Sequence, residues 1–401
     1  MNRRTFLAAA GSAVLLGPRA WAADLPRDVR ITRVIGLELQ CRRPKYIGRN
    51  SRRDDHGFHA VDRIVRVQTD AGLEGIGSIT TPPDAWRDVP GKRLADFFRP
   101  DERRMVGPFE RSTSALWDLA GKVLGKPVYE LLGGTAGTVP VYDGSIYFVD
   151  LIPDHARDWS SELRRHLDLG TADGHTFFKV KVGRGAKWMP QQEGDARDAE
   201  VLRLIRRHLG PDAGICIDAN DGYDLPRVKR LLSETADLNL AFIEEMIPVA
   251  EDRYQEYVEL RAFLRDNGLK ILIADGEDTR RPQEMRRWAE DKVVDIYQGD
   301  MNLYGFEDVL EQGRVAALAS GSVAPHNWGS LFGYYLQLQV ARAMPNFYRA
   351  EQDPMSCPAL IAEGYRIREG RSSVPAVPGL GLRLDEAALP NHAKPLFEFK
   401  A

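Results

Sequence analysis

From Val139 onward the chain alternates strand-like and helix-like segments at a near-constant interval. The strand candidates read "VPVYDGSI", "FFKVKVG", "GICIDAN", "LAFIEEM", "KILIADGED", "VVDIYQGD", "SVAPHN" and "NFYRAEQ". Amphipathic helical stretches separate most of them, at Arg197–Leu209, Leu225–Glu234, Asp252–Asn267 and Arg281–Glu290. Short, mostly apolar strands are covered on both faces, which requires helices on one side and a filled interior on the other. Eight such units within about 215 residues predict a closed (β/α) barrel rather than an open sheet.

At 401 residues the chain is longer than one barrel needs, so a second unit is required. Residues 28–136 read as a small α+β domain. "VRITRVIGLELQC" and "DRIVRVQTD" alternate with strand period, and "DAGLEG" supplies turn chemistry. Helical stretches are predicted around Trp86–Phe98 and Pro108–Leu132, the second stopped by Gly133-Gly134. The barrel takes residues 137–357, and the Gly/Pro-rich residues 358–401 are expected to return to the first domain. A net charge of −3 excludes a broadly basic nucleic-acid binder. No apolar run is long enough to span a bilayer.

Residues 1–22 read as a processing segment rather than as fold. Arg3-Arg4 precede a short apolar stretch, and Ala20-Trp21-Ala22 offers a small-x-small cleavage site. The paired arginines resemble a twin-arginine signal, with an ordinary Sec signal as the alternative. The mature chain is therefore expected to be exported folded, to the periplasm, without a membrane anchor. Of three cysteines, Cys216 reads as a small buried strand residue, and whether Cys41 and Cys357 pair is left open.

Barrel enzymes carry their chemistry at the C-terminal ends of the strands. Here those ends bear Lys179 and Lys181, Asp218 with Asn220, Glu244 and Glu245, Glu277, Asp300, His326 and Glu351. Asp218, Glu244 and Glu277 would gather three hard oxygen donors in one mouth, and a divalent cation relieves their repulsion. An all-oxygen set favours Mg²⁺ over Zn²⁺. Glu245 should face away from Glu244 on a regular strand. Asp275 and Asp278 are rival ligands from the fifth strand.

Phe177, Lys179 and Lys181 share one face of their strand. One ammonium depresses the pKa of its neighbour, so one lysine is expected to serve as base while the other stays charged. Alternatively, both simply pair with carboxylates at the mouth. Asp300 is placed to orient His326. Glu351 either faces the substrate or pairs with Arg349 or Arg342.

Lys-x-Lys, Asp-x-Asn, Ile-Glu-Glu, Gly-Glu, Asp and His at successive strand ends resemble the mandelate racemase branch of the enolase superfamily. "LWDLAGKVLGKPVYELLGG", residues 116–134, resembles that family's helix before the barrel. The resemblance implies an α/β fold: a modified (β/α)₇β TIM-like barrel with an α+β N-terminal capping domain. It implies one Mg²⁺ per subunit held by Asp218, Glu244 and Glu277. It also implies abstraction of the proton α to a carboxylate, with Lys181 as base and Lys179 assisting the carboxylate. His326 with Asp300 matches the dyad on the opposite face, and Glu351 matches the acid that hydrogen-bonds the enediolate oxygen. Two positions depart from the pattern: Met246 stands where a proline is usual, and the fifth-strand motif reads Gly-Glu-Asp.

Two bases allow a dehydratase of a sugar acid (aldonate or aldarate), or a racemase, epimerase or cycloisomerase. A non-catalytic exported carboxylate binder is the reading from another class. "CRRPKYIGRNSRRDDHGFHA" reads as a mobile basic lid suited to a polyhydroxy acid. Asn220, Arg49 and Tyr46 are the substrate-binding candidates. The expected partner is a small carboxylate, in a homo-oligomer.

Overall fold

The computed structural model describes residue 25, residues 28–99, residue 102 and residues 104–401. The export segment lies outside the described residues. Among the described residues no helix is long and apolar enough to cross a membrane.

The N-terminal unit is built on a four-stranded antiparallel sheet. Its strands are β1 (Ile31–Ile47), β2 (Gly57–Thr69) and β3 (Glu74–Ser78), and the C-terminal strand Ala393–Lys400 pairs with the outer edge of β1. Helix α1 (Ser114–Leu124) packs on β3 so closely that Gly75 and Gly77 have no room for a Cβ. Asp118 on α1 accepts from the Ile76 and Leu380 amides, tying sheet, helix and tail together.

Two expectations for this unit are corrected. Trp86–Phe98 is not one helix but two 3₁₀ turns, Pro83–Trp86 and Leu94–Asp96, because Pro90-Gly91 interrupts the run. The basic segment from Cys41 is not wholly a mobile lid either, since β1 continues to Ile47 and only residues 48–56 form a loop. Arg43 and Lys45 are buried, and each has its carboxylate. Arg43 forks onto Asp353 at 2.6 and 2.8 Å, and Lys45 meets Asp143 at 3.5 Å. Their positive charge is spent inside the molecule, where an unmatched cation would be costly.

The barrel strands are β4 (Thr138–Ile146), β5 (Phe177–Lys181), β6 (Gly214–Asp218), β7 (Phe242–Glu244), β8 (Leu272–Asp275), β9 (Ile296–Tyr297), β10 (Ser322–Val323) and β11 (Ala350–Gln352). Neighbours pair in parallel from β4 to β10, Val323 bridges to Phe347, and β11 pairs back onto β4. The barrel is closed. Its floor is a plug of inward side chains, Tyr142, Phe177, Cys216, Phe242, Ala274, Ile296 and Ala324, one from each of β4 to β9 and one just beyond β10. Phe177 stacks on Phe242 with centroids 6.0 Å apart. Burial of each such ring is worth about 2–3 kcal/mol. Above that floor the interior turns polar.

Candidate active site

Strand period decides what stands above the floor. On β5, Phe177 fills the plug, Lys179 is next up the same face, and Lys181 is last, at the rim. Register sets Lys181 beside Asp218, and Asp218 beside Glu244. Lys179 Nζ is buried among Glu244 Oε1 at 2.5 Å, Glu351 Oε1 at 2.7 Å and Asp218 Oδ2 at 3.2 Å. Lys181 Nζ donates to Asp218 Oδ2 and lies 5.3 Å from the centre of the Tyr147 ring.

The expectation that one lysine lowers the other is corrected for Lys179. Burial pushes its ammonium down, but Glu244, Glu351, Tyr142 and Asp218 outweigh burial and hold it well above the ordinary lysine value. Lys179 is a fixed cation. The same cluster keeps Asp218 ionised: burial opposes this, and Lys181 and Lys179 overcome it. Glu351 is likewise held down by Lys179, His326 and the Asn327 amide against burial, and it touches neither Arg349 nor Arg342. Gly144 lets Glu351 approach, since a Cβ there would stand 2.6 Å from Glu351 Oε1.

Across the mouth, Asp300 caps helix α2 (Met301–Ala317). Its Oδ1 accepts from the Asn302 and Leu303 amides at 2.8 and 2.9 Å. Its Oδ2 lies 2.7 Å from His326 Nδ1, and His326 Nε2 is 3.5 Å from Glu277 Oε2. Burial lowers the His326 pKa, but Glu277, Asp300 and Glu351 together raise it to about 10.

Strands β6 and β7 run out into unusual backbone. Asn220, Asp221 and Glu245 all have positive φ, of 40°, 61° and 43°. Such a conformation strains a residue with a Cβ and recurs at functional sites. It also corrects the expected outward direction of Glu245. The strand ends at Glu244, and the turn carries Glu245 into the mouth, where Asn220 Nδ2 donates to it at 2.8 Å. Of the fifth-strand rivals, Asp275 is engaged by the Tyr257 hydroxyl and the Gly276 amide. Asp278 is exposed and meets Arg52.

Among the described residues, the carboxylates whose oxygens gather within 4.8 Å are Asp221, Glu245 and Asp278. Arg52 reaches from the capping loop to Asp221 and Asp278. Asp218 and Glu244 are instead drawn inward by the lysines. The predicted set Asp218, Glu244 and Glu277 still fits a hard cation. Glu277 Oε2 and Asn220 Oδ1 are buried without a hydrogen-bond partner. Burial, together with Glu277, Asp218, Asp275 and Glu244, pushes the Glu245 carboxyl well above the carboxylate range. Asp218, Glu244, Glu245, Glu277, Asp300 and Glu351 outnumber Lys179, Lys181 and His326. That imbalance, on oxygen donors alone, suits Mg²⁺.

Arg49 and Tyr46 both turn to Asp55, at 3.0 and 3.2 Å, and Arg49 lies over the Trp188 ring. Sequence reading missed the wall of the mouth between the two bases. Tyr147 stacks on Trp328 at 4.6 Å, and His56 meets both edge-on. It also missed Gln298, which donates to Glu244 Oε2 at 2.7 Å. Trp328 and Gln298 each lie two residues from a singled-out residue at a strand end, a usable signal. His56 comes from the capping domain, within the segment read as a lid, where nothing set it apart from its neighbours.

A family model described as enolase C-terminal domain-like matches residues 162–388. The chain belongs to this family. The resemblance to the mandelate racemase branch stands with it, as does the barrel with its capping domain. Galacturonate dehydratase from Geobacillus sp. superposes on this enolase-like chain with a TM-score of 0.86 at 31% identity, covering 94% of this chain and 98% of that one. L-rhamnonate dehydratase of Saccharopolyspora erythraea is 30% identical over 354 residues, 80% of this chain and 83% of the relative. D-galactarolactone cycloisomerase of Agrobacterium fabrum is 29% identical over 294 residues, 70% of this chain and 72% of the relative.

Proposed function

We propose that the chain is a Mg²⁺-dependent enzyme that removes the proton α to a carboxylate and dehydrates a sugar acid to a 2-keto-3-deoxy acid. The observation that carries this is the opposed pair at one mouth: Lys181 on one wall, and His326 held by Asp300 on the other. A site built only to bind an acid needs cations, not an oriented histidine facing a lysine. The galacturonate dehydratase of Geobacillus sp. was crystallised with Mg, and also with D-galacturonate and 5-keto-4-deoxy-D-galacturonate. Asp218, Glu244 and Glu277 would hold the ion, which supplies positive charge for the substrate carboxylate.

The side chains then divide the work. Lys179, fixed by three carboxylates, stays charged and favours negative charge building on the substrate. Lys181 Nζ receives the α-proton. His326, protonated and fixed at Nδ1 by Asp300, gives its Nε2 proton to the β-hydroxyl as the C–O bond breaks, releasing water. The enol that remains becomes the keto acid. Arg52 and Ser51 of the capping loop close the rim, Ser51 Oγ donating to the Ala219 and Asn220 carbonyls at 2.5 and 3.0 Å. The unpartnered Asn220 Oδ1 supports a substrate contact there, and Arg49 and Tyr46, both engaged by Asp55, are the further substrate-binding candidates.

The test is a panel of aldonates and aldarates with Mg²⁺ in deuterium oxide. Keto-acid release with exchange at the α-carbon is expected. Inversion or ring closure without water loss would favour the second reading, an epimerase or cycloisomerase, for which the similarity to the D-galactarolactone enzyme speaks. Tight Mg²⁺ binding with no exchange on any acid would sink both.

We also propose export by the twin-arginine route to the periplasm, supported by Arg3-Arg4 and the short apolar stretch, and self-association into a homo-oligomer. Cell fractionation with Arg3→Lys/Arg4→Lys, and sedimentation of the mature chain, test these.

A further inference from the structure

The capping strand β1 and the segment just beyond the last barrel strand meet at one point with strand geometry. Arg42 and Ser356 exchange both backbone hydrogen bonds, at 2.9 and 3.0 Å, as an isolated antiparallel bridge. Next to a doubly bonded antiparallel pair, the facing residues carry no backbone bonds to each other, and their Cα atoms approach to about 4.5 Å. Cys41 and Cys357 occupy that position, one step before Arg42 and one step after Ser356. The spacing falls within the Cα range of about 4.4–6.8 Å that a disulfide requires.

Other observations agree. Both residues are buried, at 1% and 4% exposure, and both are free thiols. They are in contact. Cys41 and the Ala359 and Leu360 amides pull the Cys357 thiol down to about 7 against burial, while Cys357 and burial push the Cys41 thiol up. An inert core cysteine has neither a facing thiol nor amides directed at its sulfur. Cys216 is such a residue, enclosed in the barrel floor.

We propose that Cys41 and Cys357 are a disulfide-forming pair that fastens the capping sheet to the segment that leaves the barrel's last strand. The anchored segment matters to the site. β11 carries Glu351, and Asp353 just beyond it grips Arg43, two residues from Cys41. The cross-link would hold that ion pair and the strand bearing Glu351 in register with β1.

The chemistry is thiol–disulfide exchange with a donor disulfide such as glutathione disulfide. The Cys357 thiolate attacks one donor sulfur, forming a mixed disulfide and expelling one glutathione thiolate. The Cys41 thiol, losing its proton, attacks the Cys357 sulfur and expels the second glutathione. Two protein thiols are oxidised, and one donor disulfide is reduced to two thiols.

The full chain is incubated folded, and in a parallel arm refolded, in glutathione/glutathione disulfide buffer, then alkylated under denaturing conditions and mapped without reduction. A single linked peptide joining Cys41 to Cys357 is expected in at least one arm, with about 2 Da lost from the chain. Alkylation should fall on Cys216 alone. Melting should rise by about 5 °C or more on oxidation, given the long loop closed, and fall back on adding dithiothreitol. In Cys357→Ala the oxidised and reduced melting temperatures should coincide. Alkylation of all three cysteines in both arms, or any linkage through Cys216, would overturn the proposal. Neither outcome depends on which acid the enzyme turns over.

Discussion

Asp300 serves His326 with one carboxylate oxygen and its own helix with the other. Oδ2 lies 2.7 Å from His326 Nδ1, while Oδ1 caps α2 through the Asn302 and Leu303 amides. Helix formation and imidazole orientation are thereby one event. Asp300→Asn keeps the cap acceptor but not the charge. Dehydration is expected to fall about 10²–10⁴-fold, with melting shifted by only a few degrees. An unchanged rate would remove Asp300 from the dyad.

The pH dependence of the metal-free protein follows from the carboxylates around His326, Glu277 first and Asp300 next. The folded value of His326, about 10, lies above its ordinary value. Its contribution to stability is therefore fully present below about pH 6.5 and lost as the pH rises through about 10. Thermal melts of EDTA-treated protein should decline over that window, and the decline should flatten in His326→Asn. Parallel curves for the two proteins would contradict the assignment.

The two lysines should fail differently. Lys181→Ala removes a rim group and should abolish α-proton exchange while the fold survives. Lys179→Met leaves Glu244, Glu351 and Asp218 without their common cation in the barrel interior. Removing one partner of a buried ion cluster costs about 3–5 kcal/mol. Urea unfolding should register that loss for Lys179→Met and a smaller one for Lys181→Ala, which takes a cation from Asp218 alone. Equal destabilisation would refute the division of roles.

Metal removal offers a fourth check. Calorimetry on EDTA-treated protein should show one Mg²⁺ per subunit, and Mg²⁺ should raise the melting temperature. Glu277→Gln should weaken that binding by at least tenfold, whereas Asp278→Asn should leave it nearly intact. The reverse ranking would move the site to the Asp221, Glu245 and Asp278 group.

Arg52 is the capping-loop cation that reaches Asp221 and Asp278, with its side chain about a third exposed (37%). A pair that exposed adds at most about 1 kcal/mol to stability. Arg52→Gln should accordingly leave melting nearly unchanged and raise KM several-fold through a looser loop. A change confined to kcat would place Arg52 in the chemistry instead.

What the linear sequence determined about this protein is what depends on local period and on regular spacing. Alternation in "FFKVKVG" put Lys179 and Lys181 on one face. The recurrence of an ionisable residue after each apolar strand marked the barrel and its working rim. Those signals are legible because a strand's side chains alternate whatever lies around them. Only the tertiary structure decided how the charges pair. Lys179 is a fixed cation because strands far apart in sequence bring Glu244 and Glu351 to it. Glu245 enters the mouth because its φ of 43° breaks the alternation at the strand's last step. Arg43 and Lys45, legible as charges in a basic segment, are core residues because Asp353 and Asp143 arrive from the barrel to neutralise them. Charge is written in the chain, but its partner, and so its energy and its chemistry, is set by contacts between residues that the sequence keeps apart.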